Sequence, residues 1–127
     1  MSLRVIPDEN QPSAAIEIPL EKPLPDYDLH ELEQPTPRDV DAILVSQGFR
    51  DLVDDARGIL TEMLSGTGLE ITQLTGAICP GDDEVYRPGI WIVLKDRNTP
   101  PKSSLSPATV QNISSLVTQL TKRLALA

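Results

Sequence analysis

The chain has 127 residues, 24% of them charged, and a net charge of −8 at pH 7. That length allows one domain, the acidic excess opposes binding to a polyphosphate backbone, and two Tyr, one Phe and one Trp are too few for a base-stacking platform. No apolar run matches a membrane span or signal h-region and the single cysteine excludes an internal disulfide, so the expectation is a cytoplasmic protein contacting neither membrane nor nucleic acid.

Proline and charge divide the chain unevenly. Seven of the 12 prolines fall in residues 1–38. Residues 1–39 carry nine acids against three bases (net −6) and residues 40–127 ten against eight (net −2), together the stated −8. This predicts an acidic, Pro-rich arm over 1–35, disordered or ordered on contact, and a single small α+β domain over 36–127. Two patches of the arm are apolar enough to dock. "AIEIPL" (15–20) alternates as a short edge strand would, with Ile16 and Ile18 on one side. "DYDLHEL" (26–32) spaces Tyr27, Leu29 and Leu32 among acids, a composition that orders on contact.

The domain opens on "TPRD", where Thr36 suits an N-cap, Pro37 the first helical position and Asp39 the positive helix end. Apolar residues recur helically at Val40, Ile43 and Leu44, then out of phase from Phe49 through Leu52, Val53, Ala56, Ile59, Leu60, Met63 and Leu64. The phase change across "VSQGF" (45–49) predicts a kink or a short break marked by Gly48, and Gly66 is the expected left-handed stop. "LEITQLTGAIC" (69–79) reads as a strand whose apolar face switches between Ile71 and Leu74, which calls for a bulge or bend. "PGDDE" (80–84) is a turn and "GIWIVLK" (89–95) a second strand. After a loop over 97–105, Ser106-Pro107 caps a last helix with a seam of Val110, Ile113, Val117, Leu120 and Leu124. The predicted architecture is therefore αββα: a kinked helix, an antiparallel hairpin and a C-terminal helix behind an extended arm.

Chemistry is sparse. In "CPGDDE" (79–84) Cys79 has no second cysteine, and the sole histidine, His30, lies far off in sequence. Three acids beside a thiol oppose the thiolate, and their spacing is not that of a calcium loop. A hairpin turn and a buried thiol are expected. Asp51, Asp54, Asp55 and Glu62 alternate with the apolar helix positions as on a solvated face. The last seam is short for a coiled coil, and the helix–Gly–helix pattern is too acidic to read DNA. No phosphate loop, dinucleotide fingerprint, nucleophile elbow or zinc motif occurs, so no catalytic residue, cofactor or metal is assigned.

Strand 89–95 is the informative feature. Ile90, Ile92 and Leu94 face one side, Trp91 and Val93 the other, and both sides are apolar. Two helices cover one face; the other needs the arm, a second copy in a homodimer, or a foreign protein. The functional expectation is a noncatalytic protein-interaction module, that is an adaptor, assembly chaperone or regulatory subunit. Its anchors would be Ile16, Ile18, Tyr27, Leu29, Leu32, Trp91 and Val93. An acidic inhibitor or polyanion mimic of a basic protein, of antitoxin or anti-defence type, is the first alternative. An enzyme or small-ligand domain with an unrecognised site is the second.

Overall fold

The computed structural model describes residues 3–19, 44–80 and 86–124. Along these run β1 (Arg4–Pro7), β2 (Ser13–Pro19), α1 (Gln47–Met63), β3 (Leu69–Pro80), β4 (Tyr86–Asp96) and α2 (Pro107–Arg123). All pairings are antiparallel and the strand order is β1-β2-β4-β3. The α+β class is as expected, but the αββα order is not. Residues 4–19 contribute two strands, so the described elements run ββαββα and the domain cannot begin at residue 36. Proline density misled here. Pro7 and Pro19 end strands and Pro12 lies between them, so none interrupts a ladder's interior.

The "AIEI" alternation does form a strand, though not at an edge. β2 lies between β1 and β4, with Ile16 opposite Ile92 and Ile18 opposite Ile90. Ala14, Ile16, Ile18, Ile90, Ile92 and Leu94 thereby share one sheet face and are fully buried. Fully burying an isoleucine or leucine is worth about 1.5–3 kcal/mol, so this row is the backbone of the core.

Both helices cover that face, α1 against β3 and α2 against β1 and α1. In α1 the stripe Phe49, Ala56, Leu60 and Leu64 is buried, with Leu52, Val53, Ile59 and Met63 half-buried beside it. The expected start at Thr36 lies outside the described residues. The expected break is found within 45–49, but ahead of Gly48. A turn at Val45–Ser46 precedes the helix, and the Ser46 hydroxyl accepts from the Phe49 amide at 3.4 Å. Gly48 is inside the first helical turn, so the cap, rather than the glycine, makes the break. Gly66 follows the helix with φ +78°, the left-handed stop the sequence called for.

The switch of apolar face in β3 is a bulge. The register passes from Ile71↔Leu94 to Gln73↔Val93, leaving Thr72 as the extra residue. Leu69, Ile71 and Leu74 can then all face the core despite their uneven spacing. Further along, Gly76 seats the Phe49 ring: a β-carbon there would lie 2.5 Å from Phe49 Cε1. α2 is capped as its Ser-Pro pair implies, the Ser106 hydroxyl accepting from the Thr109 amide at 3.2 Å with Pro107 at the helix start. Ile113, Val117 and Leu120 are buried and Val110 and Leu124 pack at the margin, so this seam is core packing.

Candidate functional site

The second sheet face carries no described helix. Register places Arg4 and Ile6 of β1, Ala15 and Glu17 of β2, Trp91, Val93 and Lys95 of β4, and Gln73 and Thr75 of β3 on it. Trp91 and Val93 occupy its centre because β4 is an interior strand; both are half-buried, and Ile6 at the margin is 40% exposed. Two apolar faces on one strand thus have a simple origin. One face is core, and the other is an apolar centre partly shielded by cross-strand neighbours.

Charges ring that centre with both signs. Arg4 Nη1 lies 3.6 Å from Glu17 Oε2, and Arg97 Nε lies 3.9 Å from Glu70 Oε2. Lys95, opposite Glu70 in the register, is exposed. With their arginines exposed and their contacts long, such pairs add about 0–1 kcal/mol each, so they contribute little to stability. Their effect is on character. Among the described residues three cations stand against two anions, a slightly basic rim on a chain whose net charge is −8.

Of the expected anchors, Trp91 and Val93 are brought together here. Ile16 and Ile18 are not with them. They turn to the opposite face at 0% exposure, and this corrects their assignment: they hold the protein's own core and are closed to a partner. Tyr27, Leu29 and Leu32 lie outside the described residues. Residues that sequence reasoning missed are Ile6, Ala15 and Glu17, which complete the patch. The signal was present in "AIEI", whose odd positions had to lie beside Trp91 once β2 paired with β4.

Cys79 lies at one end of the same face and is buried, 1% exposed. Gly89 on β4 makes room for it, since a β-carbon there would meet Cys79 Sγ at 2.6 Å and the Ile18 carbonyl oxygen at 2.7 Å. Burial, and secondarily the Glu17 carboxylate, push the thiol pKa up to about 11. The expected buried thiol is therefore found, but with a different cause for its inertness. Asp82, Asp83 and Glu84, held responsible from sequence, lie outside the described residues.

The raised value sets a pH dependence. The folded state keeps the Cys79 proton to a higher pH than the unfolded chain, whose thiol ionises near 9.0. Its stabilising contribution is present below pH 9 and is lost as pH rises towards 11. Native protein at pH 8 is expected to react with a thiol-specific chromogenic disulfide no faster than it unfolds, and denatured protein to react at once. Equal rates in the two states would contradict a closed thiol.

A cleft of about 540 Å³ lies between α2 and the β4 end, lined by Thr67, Asp96, Asn98, Thr109, Asn112 and Ser115 among others. Its one carboxylate is already engaged: Asp96 accepts from the Asn98 amide at 2.9 Å and the Thr99 hydroxyl at 2.7 Å. These bonds shape the turn leaving β4. Among the described residues no cluster of three or more His, Cys, Asp or Glu is arranged to hold a metal ion. No described helix is long and apolar enough to cross a membrane. Comparison with protein-family models, with curated proteins and with solved structures finds no match to this chain.

Proposed function

We propose that this protein is a noncatalytic interaction module that docks another protein on the sheet face opposite the core, with Trp91 and Val93 as the central anchors. The carrying observation is an aromatic and a β-branched residue side by side at the centre of a face that no described helix covers, inside a ring of mixed charge. Such an arrangement matches a small interface, in which a Trp sits centrally and polar residues exclude water around it. The slightly basic rim favours an acidic or neutral docking surface, which differs from a basic partner steered by the acidic N-terminal region. An acidic-inhibitor function would use a different surface, the exposed Asp51, Asp54, Asp55 and Glu62 of α1.

The test is affinity capture with full-length protein and its Trp91→Asp variant side by side, followed by titration with each purified candidate. Loss of a central aromatic anchor is expected to weaken binding by about 2 kcal/mol or more, roughly thirty-fold, with the fold intact by circular dichroism. Unchanged affinity of a genuine partner for the variant would overturn the assignment to this face. Weakening by an α1 charge reversal at Asp54 and Asp55 instead would favour the inhibitor reading.

A further inference from the structure

Among the described residues the sheet has two unpaired edges, β1 and β3, and they are protected unequally. Along β4 the backbone groups alternate in direction. The Asp96 amide donates to Pro12 on the β2 side at 2.8 Å, whereas the Arg97 amide donates to Gly68 on the β3 side at 2.9 Å. The Thr72 hydroxyl likewise reaches the Val93 carbonyl at 3.1 Å. Odd-numbered groups of β4 thus face β3, where Val93 pairs Gln73 and Trp91 pairs Thr75. It follows that the backbone groups of Leu74, Gly76 and Ile78 point away from the sheet. Even-numbered groups of β4 face β2, so those of Ala15 and Glu17 face β1, and Val5 and Pro7 hold the outward positions of β1.

The β1 edge is a poor template: it is four residues long, and Pro7 offers no amide. The β3 edge is twelve residues long, and its only charge is Glu70 near its start. Residues 71–80, "ITQLTGAICP", are uncharged on a chain of net charge −8. Thr72, Gln73 and Thr75 are exposed along it. Edge strands are ordinarily protected by charges of their own. Here one protecting group comes from elsewhere: Arg57 of α1 reaches over and donates from Nη2 to the outward Leu74 carbonyl at 2.8 Å.

We propose that the free edge of β3 is a strand-addition site for a second copy of this chain, and that Arg57 is the competing contact that restrains it. The neutral edge favours a self-partner. Two copies meeting through the exposed acids of α1 (Asp51, Asp54, Asp55 and Glu62) would oppose like charges, whereas antiparallel β3–β3 pairing sets Gln73 and Thr75 of each copy against uncharged residues of the other. The pairing would extend the sheet without using Trp91 or Val93, so it stands independently of the docking face.

Sedimentation velocity over a concentration series tests this on full-length wild type, Arg57→Ala and Arg57→Ala/Thr75→Lys. Removing a charged hydrogen bond that each copy must break is expected to tighten self-association on the order of ten-fold or more. Thr75→Lys, which puts a like charge on the paired β3 strand of each copy, is expected to return the double variant to monomer. Circular dichroism melts confirm folding, and Arg57→Gln replaces the alanine variant if that one is not native. Association of the Arg57 variant no stronger than wild type would overturn the proposal. So would stronger association that Thr75→Lys leaves untouched, since the contact would then lie elsewhere.

Discussion

A polypeptide beginning at Thr36 is expected not to fold. It lacks β1 and β2, and with them Ile16 and Ile18, both fully buried. Their burial alone accounts for about 3–6 kcal/mol at 1.5–3 kcal/mol each. Removal of β2 also strips Ile90, Ile92 and Leu94 of their cross-strand neighbours and turns β4 from an interior strand into an edge. The whole stability of a small domain is about 5–15 kcal/mol, so the loss is comparable to the total. Far-UV circular dichroism and an amide proton spectrum of residues 36–127 beside the full chain would decide it. A cooperative thermal transition in the shorter chain would show that the first hairpin is dispensable, and that the core row described above is misassigned.

Phe49→Ala should be the most damaging truncation of a side chain in α1. The ring is 1% exposed and lies against Gly76, where the strand has no side chain of its own. Emptying such a site costs about 3–5 kcal/mol, read as a lower urea midpoint at unchanged slope. Its partner makes the prediction sharper. Gly76→Ala places a β-carbon 2.5 Å from Phe49 Cε1 and 3.3 Å from Leu44 Cδ2, so the ring must move, at about 1–3 kcal/mol. In a Phe49→Ala background most of that overlap is gone. The two changes should therefore be non-additive, with the second nearly free once the first is made. Strict additivity would mean that ring and glycine do not share the space.

How far the sequence determined these features can be judged residue by residue. Ser106-Pro107, Gly66 and the slip between Ile71 and Leu74 were legible because each is a local device whose chemistry does not depend on distant chain. Gly48 misled for a related reason: a glycine at a phase change reads as a kink, yet Ser46 two residues earlier supplies the cap. The first hairpin was hidden by composition. Pro7, Pro12 and Pro19 suggested an arm, and only the long-range pairing of β2 with β4 shows that they fall at strand ends. The candidate site was half legible. Trp91 and Val93 announced a second apolar face, but its limits depend on Ala15 and Glu17, which sit beside them only through that same pairing. Ile16 and Ile18 were misassigned because alternation identifies two faces without saying which is inside.

The sheet order has one more consequence, for the protein while it is being made. β2 finds its main partner in β4, so that Pro19 waits for Gly89, 70 residues later, and Ala14 for Leu94, 80 later. At a synthesis rate of about 5–20 residues per second the interval is several seconds to more than ten. For that time Ile16 and Ile18 have left the ribosome with no β4 to cover them. The nascent chain therefore passes through a stage in which Ile16 and Ile18 are open to chaperones and to neighbouring chains, and it closes only once β4 has emerged to pair with β2.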